Sequence, residues 1–302
     1  MSVITTGNHP KQLWPGVKKF WGMQYNEHPL ECKDLFTWET SDKAYEEVVE
    51  DVGFGLAPSK SQGGSVSFDT TTQGIVNRAT HVAYALGYII THEAIQDNLY
   101  FSQSKDKAKA NAFSMRQTKE NVSANIYNRA FSSSYTYGDG VSLISDSHPT
   151  ANGNQSNLLS VAADLSEQSL EDMMIQIMQT LNSRGLNIAL MPKSLHVAPK
   201  NFFNAERILK TVAQSGTANN DLNVIKANGL IPEGCKVNHY FTDQDAWFLR
   251  TNNANGMIAF QRESIDFDQD NDFTTKNARA SAYERYSFTV GDWRGVFGSA
   301  GA

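Results

Sequence analysis

Cysteine is scarce in this sequence, and long apolar stretches are missing. Only Cys32 and Cys235 occur in 302 residues. Two cysteines so far apart favour free thiols over a disulfide framework, which fits a cytoplasmic origin. There is no apolar run of about 18 residues, so no membrane-spanning helix is expected. The N-terminal MSVITTGNHPKQ lacks a basic stretch followed by an apolar one, so no secretory signal is expected either.

Positive charge is also in short supply. Lys and Arg together number 26 against 32 Asp and Glu, which gives a net charge of −6. Such a chain does not hold DNA by a broad cationic face. One local exception is KQLWPGVKKFWG, where lysines alternate with Trp14, Phe20 and Trp21. This segment either packs on a neighbouring surface through its aromatics or binds nucleic acid, and we favour the first interpretation.

Catalytic signatures are absent from the sequence. No HExxH, G-x-S-x-G, Walker or CxxC motif occurs, and the one GFG lacks the third glycine of a dinucleotide loop. His148 lies in SDSHPT and is expected to shape a loop. His239 with Asp243 lacks a third metal ligand, and Glu263 with Asp266 is better explained as an exposed acidic strand end than as a glycosidase dyad. We therefore expect no catalytic residue, no cofactor and no metal.

Apolar residues, by contrast, are plentiful. Hydrophobic residues make up 40% of the chain and aromatic residues 11%. That composition supports a sizeable core and argues against disorder, and either one large domain or two subdomains would accommodate it.

Residues 46–90 have the pattern of a long hairpin. The turn formers of Ser59–Gly64 predict its tip. The return branch, IVNRATHVAYALGYII, alternates large apolar with small or polar residues over positions 75–90, which predicts a strand with one buried face. The apolar positions are Val82, Tyr84, Leu86, Tyr88 and Ile90. A two-stranded hairpin of this length is not stable alone, so another surface, such as a neighbouring subunit, must support it.

Helical periodicity dominates residues 99–131. One apolar stripe includes Ala108, Ala112, Met115, Val122 and Ile126, with Lys, Gln and Glu at the remaining positions. A helix of about 30 residues is long for a globular protein and suggests a structural spine.

The rest of the chain mixes shorter helices and strands. A second helix is predicted after Asp164 and Glu167, which have capping-box spacing, and a third over residues 200–216. Strands are predicted near residues 187–200, within 235–250 around an acidic turn, and over 256–268. Because strands and helices do not alternate as βαβ units, the fold class is α+β.

The closing segment, YERYSFTVGDWRGVFGS, is unusually rich in aromatic and charged residues. If its first half is a strand, Glu284 and Tyr286 face one side while Arg285 faces the other. Trp293 is expected to be buried between its charged neighbours. We therefore predict a structural seam, made by Trp293, Arg294 and Arg285, that seals this segment against the long helix.

Several stretches together resemble a known family. They are EVVEDVGFGLAPSKSQGG, GYIITHEAIQDNLY, MRQTKENVSANIYNRAF, GDGVSLISDSHP, IPEGCKVNHYFTDQDAWFLRTN, DFDQDNDFTTKNAR and ERYSFTVGDWRGVFGS. Their order and spacing resemble the major capsid (major head) proteins of tailed bacteriophages, in particular the Mu-like major head subunit group with the Hong Kong 97-type fold. The resemblance covers nearly the whole chain.

The resemblance implies a domain organisation. Residues 1–45 would be an N-terminal arm, and residues 46–90 an extended hairpin, the E-loop, that lies over an adjacent subunit. Residues 91–145 would carry the spine helix of a peripheral (P) domain, residues 146–254 an axial (A) domain, and residues 255–302 the return to the P domain. The short arm implies that the scaffold is a separate protein.

The resemblance also implies which residues touch neighbouring subunits. The arm and E-loop contacts are expected at Trp14, Phe20, Trp21, Phe54, Lys60 and Phe68. Some relatives cross-link an E-loop lysine to an asparagine of a neighbour with the help of a glutamate. Lys60 lies at the predicted tip, but no motif identifies the asparagine or the glutamate, so cross-linking is not expected.

The function implied is structural. Copies of the chain would form hexamers and pentamers of an icosahedral head around double-stranded DNA, without sequence-specific binding. Partners would be the chain itself, a scaffolding protein, a portal and a possible decoration protein, with assembly in the host cytoplasm and a final place in the virion. The alternatives are an encapsulin-like compartment of the same fold and a hydrolase with an acidic site in residues 136–150 or 240–270.

Overall fold

The computed structural model describes residues 14–27, 29–93, 100–213, 222–272 and 274–302. Its α-helices are α1 (Trp14–Tyr25), α2 (Cys32–Leu35), α3 (Tyr100–Asn128), α4 (Glu167–Met178), α5 (Phe202–Lys210) and α6 (Val224–Ala227). Its strands are β1 (Thr37–Thr40), β2 (Tyr45–Asp51), β3 (Gln73–Thr80), β4 (Val82–Ile90), β5 (His148–Thr150), β6 (Gly153–Gln155), β7 (Pro192–Val197), β8 (Cys235–Val237), β9 (Trp247–Thr251), β10 (Met257–Asn271), β11 (Ala278–Val290) and β12 (Val296–Ser299). No helix in these ranges is long and apolar enough to cross a bilayer.

Two four-stranded sheets organise this part of the chain. The first has the order β1-β10-β11-β4, and the second has the order β12-β9-β7-β8. In the first sheet β10 and β11 form a long antiparallel pair, while β1 adds in parallel at one edge and β4 antiparallel at the other. Two short pairs, β2-β3 and β5-β6, complete the strand pairing.

The predicted spine helix is confirmed as α3, with 29 residues. It packs with α1 on one face of the first sheet, where Ala108, Ala112 and Met115 enter the core. The predicted stripe is wrong further along, since Val122 and Ile126 are only half-buried whereas Lys119 and Glu120 are buried. Apolar periodicity located the helix but not the exact face that its second half buries.

The second sheet has its own core with α4 and α5. Leu170, Met173 and Ile177 of α4 meet Trp247 and Leu249 of β9 in one buried cluster. The cap of α4 differs from the predicted one because Ser166, not Asp164, is the N-cap. Its side chain accepts from the backbone N–H of Ser169, whose hydroxyl accepts from the backbone N–H of Ser166 in return. Helix α5 ends at Lys210 and Thr211 has an extended backbone, so the predicted end near residue 216 was wrong.

The predicted hairpin over residues 46–90 is corrected by the strand pairing. Only β2 and β3 form a hairpin, whereas β4 leaves it and pairs with β11. His81 separates the two strands and is buried, with Nε2 3.0 Å from Ser41 Oγ and Nδ1 2.9 Å from Ser287 Oγ. The support that the sequence demanded for β4 therefore comes from the same chain.

The alternation of β4 is correct, but its apolar face is not fully covered. Ile90 is buried and Tyr84 is half-buried, while Val82 and Leu86 are 49% and 43% exposed. β4 is an edge strand of its sheet, so only one of its sides is hydrogen-bonded to another strand of that sheet.

Other predicted elements are found close to their expected positions. Strands β8 and β9 flank the acidic turn, β7 lies within 187–200, and β10 covers the strand predicted over 256–268. The closing segment links the two sheets, because β11 belongs to the first sheet and β12 to the second. At this crossing Gly295 lies against Gly256 so closely that a Cβ on Gly295 would stand 2.3 Å from the Gly256 Cα. The α+β class is confirmed.

Candidate assembly surfaces and the contacts that position them

The arm helix α1 is fastened to its own subunit through Trp21. The indole is 3% exposed and stacks on Tyr25 and Phe267 with ring centroids 5.2 Å apart in each case. Its Nε1 donates to Asn111 Oδ1 at 2.9 Å, and Asn111 Nδ2 donates to the Leu86 carbonyl at 2.8 Å. Trp21 therefore makes contacts within the chain, and its expected role in an inter-subunit contact is corrected.

Trp14 and Phe20 are the other two arm residues that were expected to contact a neighbouring subunit. Trp14 is the first residue of α1, and Phe20 is half-buried with Lys105 Nζ 5.8 Å from its ring centroid. Lys18 lies 2.9 Å from Asp266 in an exposed ion pair. Contacts of Trp14 and Phe20 with a neighbouring subunit remain predictions.

The connection between the arm and the first sheet is held by polar side chains of α3. Arg116 donates to the carbonyls of Tyr25 and Pro29, the first at 3.3 Å. The Tyr127 hydroxyl donates to the Leu35 carbonyl at 3.0 Å. Side chains of α3 thus hold the connection along the helix. The acceptors are backbone carbonyls, which every residue has, so a sequence pattern does not reveal these contacts.

The side chain of Glu120 accepts hydrogen bonds from backbone N–H groups at the N-terminus of α2. Its two carboxylate oxygens accept the backbone N–H groups of Glu31 at 2.8 Å and Cys32 at 2.9 Å. These are among the donors that a helix N-terminus leaves without intrahelical partners. Burial raises the pKa of Glu120, while the two backbone donors act in the opposite direction. No pattern in the sequence indicates this role.

A buried ion pair joins α3 to β11. Lys119 and Glu284 contact each other with side chains 5% and 2% exposed, and Lys119 Nζ donates to Gln261 Oε1 at 3.0 Å. The ammonium also lies 4.9 Å from the Trp38 ring centroid and 5.0 Å from that of Tyr286. The pair fixes the helix on the sheet, since removing either partner would leave the other charge buried and unpaired.

The three residues of the predicted seam do not lie together: Arg285 lies on β11, whereas Trp293 and Arg294 lie beside the second sheet. Glu284 and Tyr286 share one face and Arg285 lies half-buried on the other, as predicted, and it is the face of Glu284 and Tyr286 that contacts α3. Within the described residues Arg285 forms no ion pair. Its expected part in the seam is therefore corrected, although Glu263 of β10 lies directly across from it in the strand register.

Trp293 and Arg294 form a seam, but not against α3. Trp293 is buried in the core of the second sheet and stacks on His148 with ring centroids 4.4 Å apart. Arg294 Nη1 is 3.2 Å from Glu50 Oε1 of β2, and its Nε donates to the Leu181 carbonyl at 2.9 Å. The seam joins the second sheet to the base of the β2-β3 hairpin, so the predicted partner was wrong.

In the loops where the sequence allowed a hydrolytic site, the histidine side chains contact other side chains of the same chain. His148 Nδ1 lies 2.6 Å from Asp139 Oδ2, and its Nε2 lies 3.0 Å from Asn157 Oδ1, all within the fold. The adjoining cavity of about 10 Å³ has room for a water molecule but not for an organic substrate. His239 contacts Glu31 at 2.6 Å. In the described ranges no three His, Cys, Asp or Glu side chains gather as metal ligands.

Residues 52–72, which we call the E-loop extension, leave the body between β2 and β3 without regular strand pairing. Phe54 and Phe68 are 59% and 93% exposed, and Leu56 and Val66 are also exposed. Lys60 is exposed beside the turn at residues 62–63. All three E-loop residues named from the sequence are thus accessible, and their contacts with a second subunit remain predictions.

The decisive comparison is with a family model described as phage capsid protein, which matches residues 76–299. The chain belongs to the phage capsid protein family. Members of this family are structural proteins of the virion shell. None of the proteins with curated functions is significantly similar to the chain in sequence.

Solved structures with the same fold support the assignment at low sequence identity. The capsid of an empty GTA particle has a TM-score of 0.54 at 9% identity, with 88% of each chain covered. A virus-like particle from Pyrococcus furiosus has a TM-score of 0.53 at 9% identity, covering 95% of this capsid protein and 99% of that chain. A phage-related protein from Bordetella bronchiseptica has a TM-score of 0.51 at 12% identity, with 93% and 96% covered. The α+β, Hong Kong 97-type capsid fold is confirmed, and the Mu-like subgroup remains a prediction.

Proposed function

We propose that copies of this capsid protein assemble as hexamers and pentamers of an icosahedral phage head that encloses double-stranded DNA. Membership of the phage capsid family supports a shell protein. The observation that carries the proposal further is the E-loop extension, whose apolar side chains point away from the core of their own subunit.

The exposure of these side chains has a physical consequence. Phe54, Leu56, Val66 and Phe68 lie on one extension of 21 residues, outside every buried cluster of the chain that the structure describes. Exposed apolar residues gathered on one projection mark a surface that another molecule covers. A second copy is the partner that an assembling shell supplies in every direction. Specific interfaces bury about 1,200–2,000 Å², and an extension that reaches over a neighbour adds area to each of them.

The remaining partners follow from the proposed head. A separate scaffolding protein would direct assembly in the host cytoplasm, a portal would occupy one vertex, and a decoration protein could bind outside. The net charge of −6 suits a wall that surrounds DNA without binding it tightly. On this basis the second sheet belongs to the A domain and the first to the P domain, which moves β1 out of the expected arm, β4 out of the expected E-loop and β12 out of the expected return to the P domain.

Electron microscopy of the expressed protein tests the proposal. We expect closed icosahedral particles, either from the protein alone or on coexpression with the scaffolding protein of the same phage. A compact monomer that never assembles under either condition would contradict the proposal.

A protein compartment is the second candidate. The specific observation in its favour is the virus-like particle from Pyrococcus furiosus, which shares the fold over 95% of this chain. Nucleic-acid content distinguishes the two candidates, because a phage head contains genomic DNA after infection whereas a compartment contains protein cargo. Particles from infected cells that hold protein cargo and no DNA would favour the compartment.

A further inference from the structure

A turn in the connection between α4 and β7 contacts the E-loop at two points. The turn is formed by residues 181–187, and its neighbouring residues Ser183 and Arg184 both make hydrogen bonds to the E-loop. We call this segment the clasp turn. Nothing in the sequence pattern indicated a contact between it and the E-loop.

The lower contact holds the base of the hairpin. The Ser183 hydroxyl donates to Glu50 Oε1, and Arg294 Nη2 donates to Ser183 Oγ at 3.2 Å. Arg294 Nη1 approaches the same Glu50 oxygen at 3.2 Å. Glu50 is thereby tied to both the clasp turn and the seam, which fixes the direction in which β2 leaves the body.

The upper contact gathers both branches of the E-loop extension. Arg184 pairs with Asp69 through Nη1 and donates from Nη2 to the Thr70 carbonyl at 3.3 Å. On the opposite branch, the Gly55 backbone N–H donates to Asp69 Oδ2 at 2.9 Å. One guanidinium therefore organises residues from the outgoing and the returning branch at the same point.

The clasp turn is itself well ordered. Asn182 Oδ1 accepts the backbone N–H groups of Arg184 at 2.9 Å and Leu186 at 2.8 Å. Asn182 N–H also donates to the Leu186 carbonyl at 2.7 Å, and Gly185 takes the φ of +84° that closes the turn. Arg184 is thus presented from a fixed backbone.

Apart from the contact with Arg184, few interactions fix the direction of the E-loop extension. In the described part of the chain, the Gly53 backbone N–H donates to Asp51 Oδ1 at 3.1 Å at the end of β2, and every other hydrogen bond or ion pair between residues 53–70 and the rest of the subunit involves Arg184. The extension also lacks strand pairing and a core. An irregular segment of this length with no tether would sample many orientations, and ordering it on binding would weaken association.

We propose that Arg184 is the positioning residue of the E-loop: through Asp69 and Thr70 it holds the extension at one angle, so that Phe54 and Phe68 are presented together to a second copy of the chain. The inference rests on the proposed shell function. The clasp preorganises the extension before assembly and makes no contact with the second copy itself.

Two charge-removing variants, R184Q and D69N, test the clasp in the unassembled subunit. Lys60 is the one trypsin site in the extension, so its cleavage rate reports how freely the extension moves. We expect R184Q and D69N each to raise that rate roughly two- to fivefold, the range for an exposed ion pair. The double variant R184Q/D69N should be no faster than either single one, because all three lose the same contact. R207Q is the control, since Arg207 is exposed and has no ion pair within the described residues.

Particle yield tests the consequence for assembly. We expect R184Q and D69N to give fewer closed particles than the wild type and R207Q at equal protein concentration. Unchanged cleavage at Lys60 in R184Q, or additive effects in the double variant, would overturn the clasp. Faster cleavage with unchanged particle yield would overturn the positioning role. If the wild type forms no particles, the proposed function fails, while the cleavage rates still decide whether the clasp exists.

Discussion

The contact between α3 and the first sheet and the contact between the E-loop and the clasp turn are built in opposite ways. The first buries an ion pair, Lys119 with Glu284, among aromatic rings. The second uses an ion pair at the surface, Arg184 with Asp69, whose side chains are 28% and 46% exposed. Opening the buried contact of the body would therefore cost much free energy, whereas the exposed contact that holds the E-loop extension can open at little cost. A shell subunit needs both, since the body must survive assembly while the extension must adjust to a neighbour.

The largest effect on stability is expected at the seam. Trp293→Ala removes an indole that is buried against His148 and the core of the second sheet. We expect it to lower the free energy of unfolding by about 3–5 kcal/mol. The yield of assembled particles would fall as a consequence.

Urea denaturation of the unassembled subunit measures this change, with Phe68→Ala as the control because Phe68 is exposed. A Trp293→Ala subunit as stable as the wild type would show that the seam does not stabilise the body.

A smaller effect is expected where α3 holds the arm connection. Glu120→Ala leaves the backbone N–H groups of Glu31 and Cys32 without their acceptor. Each buried donor left unsatisfied costs about 1–3 kcal/mol, so the free energy of unfolding should fall by at least about 1 kcal/mol. Hydrogen exchange at the Cys32 amide gives a local measurement of the same loss. Glu120→Gln keeps one acceptor oxygen, and a loss as large as that of Glu120→Ala would contradict this explanation.

The body should also lose stability in acid through His196. Burial lowers the pKa of His196 to about 3, and Arg250 and Lys236 act in the same direction. Below the ordinary histidine pKa of about 6.5 the unfolded chain binds a proton that the folded chain does not. His196 therefore contributes a loss of roughly 1.4 kcal/mol per pH unit as the pH falls from about 6.5 towards 3.

Comparing His196→Gln with the wild type between pH 7 and pH 4 isolates this contribution. We expect a shallower decline of the unfolding free energy in the variant. Parallel curves for the two proteins would mean that another group is responsible for the acid loss.

The clasp should respond differently to acid. The Arg184 contact, followed by the Gly55 and Thr70 backbone N–H groups, lowers the pKa of Asp69 to about 2. A lowered carboxyl pKa means that the contact is present above the unfolded value of about 3.9 and is lost as the pH falls towards 2. Trypsin is inactive in acid, so pepsin cleavage at Phe54 and Phe68 is the measurement. The rate relative to R184Q should stay low at pH 5 and pH 4 and approach the rate of R184Q as the pH falls towards 2. A rise already between pH 5 and pH 4 would contradict this.

The smallest effect on stability is expected in the E-loop extension. Replacing Phe54 and Phe68 by Ser should change the free energy of unfolding by no more than about 0.5 kcal/mol, because both side chains are exposed. Assembly should nevertheless fail or slow sharply if a second copy covers these side chains. Particle yield and urea denaturation of the same preparation separate the two properties. Normal assembly of the double variant would remove the apolar basis of the proposed contact.

The sequence predicted correctly those features that depend on the periodicity of residues within one segment. The period of two in Tyr283–Val290 placed Glu284 and Tyr286 on one face and Arg285 on the other, and the structure agrees. It could not show that Lys119 lies opposite Glu284, since the two residues are 165 positions apart. Local alternation likewise missed the break at His81, because a histidine in a strand pattern gives no sign that two distant serines will hold it.

The candidate assembly residues show the same division. Phe54 and Phe68 were named because the resemblance placed them on the E-loop, and the structure leaves both side chains exposed. Trp21 was misplaced because an aromatic residue in an arm looks the same whether its own subunit or another covers it. Arg184 was not found, since a single arginine in a turn carries no periodic signal.

The sequence by itself determined the length of the spine helix, the alternation of the long strands, the α+β class and the resemblance to phage capsid proteins. Those properties depend on residues close to one another in the chain or on the order of many stretches. Only the tertiary structure decided that β4 joins β11, that Trp21 stays within its subunit and that Arg184 grips the E-loop. Each of these depends on which distant surface covers an apolar face or neutralises a charge, and local periodicity specifies the face but not its partner.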